Sequence, residues 1–140
     1  MIKQHKRNIE LEKKAGIKIL PRFKCEDFKA NDYALWLEEK NAEHFIKILM
    51  RRLNYNNFDG LVLECNLVWM LEKTYPDFAI FLKNLYETLK KSNKSLVLTI
   101  FPYSDTFLNQ LTKTRFEYAA KYVDYFNLMT YDYYTYREQE

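Results

Sequence analysis

Glycine is scarce in this chain of 140 residues, which contains only Gly16 and Gly60. A Rossmann or P-loop site holds its nucleotide through a glycine-rich turn between a strand and a helix, where backbone amides approach the phosphates. Neither glycine stands in such a cluster. The sequence therefore excludes both kinds of nucleotide site.

Cysteine and histidine are equally scarce, with Cys25, Cys65, His5 and His44 as the only examples. A structural zinc site takes four such ligands, usually at short spacings such as Cys-x2-Cys. The four residues lack these spacings, so we expect no metal and no cofactor. Two cysteines are also too few for a disulfide scaffold, and they say little about the redox compartment.

Long apolar runs and a large excess of one charge are absent as well. Residues 96–101 form one of the longest apolar runs, far below the roughly 18 residues that cross a bilayer. No apolar stretch follows the charged residues 1–7, so we expect neither a membrane span nor a signal peptide in this stretch. The 22 Lys and Arg against 19 Asp and Glu give a net charge of +3. Basic and acidic side chains are interleaved, which disfavours a nucleic-acid partner.

Helical patterns occur in four places along the chain. They predict helices over residues 3–15, from 42 to 53, from 78 to 89 and from 114 to about 122. Gly16 is the residue type that commonly ends a helix, and Thr114 with Glu117 has the spacing of a capping box. Residues 31–39 fit either a short helix or a loop.

Short apolar runs between these helices predict four strands, at residues 17–20, 58–65, 95–101 and 125–131. The first is expected to end near Pro21. The alternation of strands and helices points to right-handed βαβ units around a parallel sheet. A doubly wound sheet fits this length, whereas an eight-stranded barrel needs about 250 residues, so the chain would be about half of one.

Two of the predicted strands carry motifs that resemble signatures of glycoside hydrolase family 18, the chitinase family. Residues 58–66 read Phe-Asp-Gly-Leu-Val-Leu-Glu-Cys-Asn, similar to the strand-four pattern Asp-Gly-x-Asp-x-Asp-x-Glu. Residues 127–133 read Asn-Leu-Met-Thr-Tyr-Asp-Tyr, similar to the strand-six pattern Met-x-Tyr-Asp. The resemblance implies an α/β fold in which residues 1–140 form a fragment of one (β/α)8 TIM barrel, approximately strands three to six. Such a half-barrel would expose two sheet edges and an apolar inner face, so it should either be a fragment of a longer product or aggregate. We favour the fragment over a self-sufficient domain.

The resemblance also implies a chemistry for the strand-four motif. Every second residue of the strand faces the same side, so one face is expected to carry Val62, Glu64 and Asn66. By the resemblance, active family members have Asp, Asp and Glu at these three positions. That last Glu protonates the glycosidic oxygen in a substrate-assisted, retaining reaction. Asn66 cannot act as an acid, so the contribution of general-acid catalysis to the reaction rate, roughly 10²- to 10⁴-fold, should be lost. Glu64 would lie too deep to replace it, and is either a ligand contact or a buried carboxylate tied to a Tyr hydroxyl or an Arg.

Strand six departs less from the family pattern. Met129, Tyr131 and Asp132 match positions that contact the N-acetyl sugar in chitinases. A pyranose ring presents C–H faces to aromatic rings and hydroxyls to carboxylates and amides. With Glu64 and Asn66, these residues make up the predicted glycan-binding set. The alternative is that Met129 and Tyr131 fill the barrel while Asp132 caps the following helix.

The resemblance thus implies a catalytically inactive chitinase-like protein that binds chitooligosaccharide or another amino-sugar glycan, with a protein receptor as a further partner. It also implies a secreted or lysosomal location. Two alternatives remain open: an active glycosidase with a displaced acid, and a protein-interaction scaffold without glycan binding. Residues 93–95, Asn-Lys-Ser, match the acceptor pattern for N-glycosylation, which matters only if the protein is secreted.

Overall fold

The computed structural model describes residues 2–25, 28–65, 72–100 and 110–129. Its helices are α1 (Ile2–Lys14), α2 (Ala30–Leu37), α3 (Glu39–Tyr55), α4 (Tyr75–Lys91) and α5 (Gln110–Ala119). Its strands are β1 (Arg22–Lys24), β2 (Gly60–Glu64), β3 (Ser95–Ile100) and β4 (Tyr125–Leu128). None of the helices in these ranges has both the length and the apolar character that a membrane span requires.

The four strands form one parallel sheet in the order β1-β2-β3-β4. Val62 pairs with Arg22 on one side and with Val97 on the other, and Val97 pairs in turn with Tyr125. Each strand therefore lies beside its predecessor in the chain. A doubly wound sheet reverses its strand order at a switch point, and these strands show no reversal. The topology favours a segment of a barrel.

The core lies between the sheet and the helices. Leu61 and Leu63 of β2 and Leu96 and Leu98 of β3 are fully buried on the helix-facing side. The predicted apolar stripes of α3 and α4 are confirmed as the helical side of this core. Their buried members are Ala42, Ile46, Leu49 and Leu53 on α3, and Phe78, Phe81, Leu82, Leu85 and Leu89 on α4.

Aromatic packing resolves the ambiguity over residues 31–39, most of which form α2. Trp36 lies on this helix, with its ring centroid 5.3 Å from that of Phe45 and 4.7 Å from that of Phe81. Such edge-to-face contacts add to the free energy gained by burying the rings. Tyr33 donates its hydroxyl hydrogen to the Cys25 carbonyl at 2.9 Å. Tertiary contacts therefore favour the helix over the loop.

The predicted first strand is misplaced, because β1 begins after Pro21 rather than at residue 17. The preceding residues already run beside β2. Asp59 donates its N–H to the Ile19 carbonyl, and Val62 donates its N–H to the Pro21 carbonyl, both at 2.9 Å. Pro21 has no N–H that could donate a hydrogen bond to β2, so the regular ladder of hydrogen bonds starts only at Arg22.

The predicted capping box at Thr114 is also wrong. Helix α5 already includes Gln110, so Thr114 lies inside it. The spacing of Thr114 and Glu117 is one helical turn, and a capping-box pattern therefore arises by chance within helices. Glu117 instead pairs with Lys113, with 3.7 Å between Nζ and Oε1.

Helices α3 and α4 end in the same kind of turn. Asn57 and Asn93 each have φ of 53°, the left-handed conformation that asparagine tolerates better than most residues. Phe58 and Lys94 then donate their N–H groups to helix carbonyls five residues earlier. This is the Schellman arrangement, which satisfies carbonyls that a helix end leaves unpaired.

Candidate functional site at the carboxyl edge of the sheet

The carboxyl ends of parallel strands form the edge where barrel proteins bind their ligands. Cys25 follows β1, Glu64 ends β2, and Met129 follows β4 at this edge. Side chains along β2 alternate between two faces. Leu61 and Leu63 face the helices, so Val62 and Glu64 face the opposite side, which is the interior of a closed barrel.

Glu64 is the best-defined member of the predicted site. It is 6% exposed, and its Oε2 accepts a hydrogen bond from Arg22 Nη1 at 3.1 Å. Lys24 Nζ lies 3.8 Å from Oε1. The register places these cations, because Arg22 pairs with Val62 and Lys24 with Glu64. Glu64 is thus a buried carboxylate tied to an Arg, and its contact with a ligand stays a prediction.

Met129 continues the ladder beyond β4, since its N–H donates to the Ile100 carbonyl at 3.1 Å. The side chain is buried. Two residues earlier, Asn127 donates from Nδ2 to Thr99 Oγ1 at 3.3 Å. The structure therefore places Glu64 and Met129 at the ends of two strands of one sheet.

Three members of the predicted set lie outside the described residues. They are Asn66, Tyr131 and Asp132. Asn66 directly follows Cys65, the last described residue beyond β2, and Tyr131 lies two residues beyond Met129. Their roles remain predictions.

A disulfide joins Cys25 to Cys65 at this same edge. Both cysteines are 2% exposed, their Cα atoms are 4.9 Å apart, and the Cys25 N–H donates to the Glu64 carbonyl. Each cysteine immediately follows a strand, and neighbouring parallel strands bring their ends together. The position of each cysteine directly after a strand could have predicted the disulfide. With the first strand predicted at residues 17–20, however, Cys25 does not directly follow a strand. In the described ranges, no three His, Cys, Asp or Glu side chains group as metal ligands.

At the opposite, amino edge of the sheet, Asp59 joins the segments that lead into β1 and β2. The sequence patterns predicted no role for this residue. Asp59 Oδ2 accepts a hydrogen bond from the Ile19 N–H at 2.8 Å, and the Asp59 N–H donates to the Ile19 carbonyl. Lys13 Nζ lies 3.1 Å from Oδ1. Burial would raise the pKa of Asp59, but the Ile19 N–H, Lys13 and the charge of Lys94 together hold its pKa below the ordinary value of 3.8.

Asp124 repeats this arrangement between β3 and β4. Its Oδ2 accepts the Leu96 N–H at 2.8 Å, and its own N–H donates to the Leu96 carbonyl at 2.8 Å. Lys90, from the helix preceding β3, forms an ion pair with it. In both cases an aspartate just before one strand bonds to the backbone at or just before the start of the neighbouring strand, and a lysine forms an ion pair with the same carboxylate.

The packing around Gly60 explains why the strand-four motif has a glycine at this position. A Cβ atom at this position would lie 2.2 Å from the carbonyl oxygen of Ser95. The contact is with backbone, so it cannot be relieved by rotating a side chain. Glycine is therefore needed for the close approach of β2 and β3.

Comparison with known families identifies the barrel to which this sheet belongs. The family model described as "Glycosyl hydrolases family 18" matches residues 3–140. The chain belongs to this family. The match covers nearly the whole sequence and includes both strand motifs.

Several solved structures superimpose on the chain. The C-terminal domain of a protein from Desulfitobacterium hafniense DCB-2 is 23% identical, with a TM-score of 0.75, over 93% of this chain and 39% of that one. A class V chitinase from Pseudomonas fluorescens Pf-5 is 27% identical, with a TM-score of 0.73, over 89% and 38%. YKL-39 is 20% identical, with a TM-score of 0.70, over 89% and 35%.

The chain thus spans less than two fifths of the length of each of these three structures. Its four parallel strands match part of the family 18 barrel, which confirms the predicted fold class. The strand order and the superposition agree on this assignment.

Proposed function

We propose that this chain belongs to a catalytically inactive chitinase-like protein that binds chitooligosaccharide or another amino-sugar glycan at the carboxyl edge of the sheet. The observation that carries the proposal is Asn66, an amide where the family motif has its acid. The family fold supports the choice of ligand, and its structural neighbour YKL-39 was solved in the presence of chitooligosaccharides (GlcNAc4).

The contacts of Glu64 argue against a displaced acid. The family motif places the acid two positions after Glu64, and an extended strand rises roughly 6.6 Å over two residues. Both Glu64 oxygens also face cations, Arg22 at 3.1 Å and Lys24 at 3.8 Å. A carboxylate in that position serves as an acceptor for its neighbours rather than as a donor to a glycosidic oxygen.

The motifs allow a finer assignment within the family. Residues 19–23, Ile-Leu-Pro-Arg-Phe, and residues 129–133, Met-Thr-Tyr-Asp-Tyr, are similar to the corresponding strands of chitinase domain-containing protein 1. We infer a secreted or lysosomal protein that also engages a protein receptor. The Cys25–Cys65 disulfide supports this location, since disulfides persist in oxidising compartments.

The test is a calorimetric titration of the full-length protein with chitotetraose, followed by analysis of the mixture for shorter sugars. We expect binding without shortening. Tyr131→Ala should weaken binding at least tenfold, whereas Tyr55→Ala should leave it unchanged, because Tyr55 ends α3 and is 79% exposed.

Two results would overturn the proposal. Shortened products that disappear in Glu64→Gln would establish an active glycosidase with a displaced acid. Absence of both binding and products, together with receptor binding that survives Tyr131→Ala, would establish a protein-interaction scaffold.

A further inference from the structure

Residues 93–95, Asn-Lys-Ser, are the only Asn-x-Ser/Thr tripeptide in the 140 residues. Asn93 lies in the turn between α4 and β3, is exposed, and has φ of 53°. Its N–H donates to the Lys90 carbonyl at 3.0 Å. Within the described part of the chain, its side-chain amide has no hydrogen-bond partner.

The two residues that follow Asn93 are firmly held. Lys94 is buried, and its Nζ donates to the Phe58 carbonyl at 2.6 Å. Ser95 begins β3, and its N–H donates to the Asp59 carbonyl at 2.9 Å. Asn93 is therefore the exposed residue of an anchored turn, and a large substituent on its amide would displace no packed group.

We propose that Asn93 is a site of N-glycosylation. The turn after α3 provides an internal comparison, because Asn57 has the same φ and is also exposed. Phe58 and Asp59 follow Asn57, so the second position lacks the hydroxyl that the acceptor pattern requires. Of these two similar turns, only the one at Asn93 is an acceptor.

The co-reactant is a lipid-linked oligosaccharide pyrophosphate. Asn93 Nδ2 loses one proton and forms a bond to C1 of the first sugar, while the bond from C1 to the pyrophosphate oxygen breaks. The lipid pyrophosphate leaves, and the released proton passes to solvent or to the leaving group. No atom changes its oxidation state. The product carries a bulky, solubilising glycan on the protein surface.

The position of Asn93 keeps this glycan away from the proposed ligand site. Asn93 precedes the amino end of β3, whereas Glu64 and Met129 lie at the carboxyl ends of their strands. The length of β3 separates the two edges by about 17 Å. Modification at Asn93 and ligand binding should therefore be independent, so this inference rests on the proposed secretory location and not on the proposed glycan binding.

The test is expression of the full chain in the secretory pathway of eukaryotic cells, with intact mass measured for the secreted and the intracellular fractions. We expect the mass of an N-linked glycan on the wild type, removed by peptide N-glycosidase with conversion of Asn93 to Asp. Asn93→Gln and Ser95→Ala should both lack the added mass. Ser95→Thr should retain it, and so should Asn57→Gln, the matched control.

Protein from both fractions with the unmodified mass would overturn the inference. So would added mass that is removed by the glycosidase but persists in Asn93→Gln. Measuring the intracellular fraction gives a result even if a variant fails to be secreted.

Discussion

Loss of the Cys25–Cys65 cross-link should remove a large part of the folding free energy. The two cysteines are 40 residues apart in sequence, and cross-linking a loop of that length reduces the entropy of the unfolded chain. The loop-closure relation gives about 4 kcal/mol at 25 °C. Domains are commonly stable by only 5–15 kcal/mol in total, so the effect should be plain in an unfolding curve.

The assay is denaturation of the full-length protein in urea, with and without a dithiol reductant, followed by tryptophan fluorescence. Trp36 is a suitable reporter because it is buried between the Phe45 and Phe81 rings. Reduction leaves the sulfur atoms in place, so it measures the cross-link without creating a cavity. The dependence of the unfolding free energy on urea should also steepen, because an unfolded chain without the cross-link exposes more surface.

Cys25→Ala combined with Cys65→Ala provides the control, since its unfolding curve should not respond to the reductant. A thiol titration must show two free thiols per reduced chain. The entropic reasoning is refuted if fully reduced and oxidised wild-type protein agree in unfolding free energy within about 1 kcal/mol.

Two further predictions concern the amino edge. Gly60→Ala should destabilise the protein by about 3 kcal/mol in the same urea assay, because its Cβ would lie 2.2 Å from Ser95 O; a loss below about 0.5 kcal/mol would contradict the backbone clash. Asp59 has a lowered pKa in the folded state, so its stabilisation is complete above pH 3.8 and is lost as pH falls through its folded pKa. Asp59→Asn should therefore lose less stability between pH 5 and pH 2 than the wild type does, in thermal unfolding measured along a pH series; equal losses would contradict the assignment.

Local periodicity was sufficient to predict the elements whose side chains meet the core on one side only. The stripe on α3 from Ala42 to Leu53 is an example, because a 3.6-residue period reports burial directly. β1 was harder to predict. Its boundary depends on the missing N–H of Pro21 and on pairing with β2, which lies 40 residues further along.

The candidate site was predictable in part, for the same physical reason. Alternation along β2 places Val62 and Glu64 on one face, and this needs no knowledge of the neighbouring strands. The partners of Glu64 follow only from the register, which brings Arg22 and Lys24 beside it. The disulfide likewise requires knowing that β1 ends at Lys24.

The paired bonds of Asp59 and Asp124 fasten the sheet at the edge remote from the proposed ligand site. The bonds that fasten the amino edge and the proposed ligand site thus use different residues of the same sheet. Substitutions at the carboxyl ends can alter the proposed ligand site while the aspartates hold the strands in register. That separation would allow a lineage to exchange an acid for Asn66 without losing its fold.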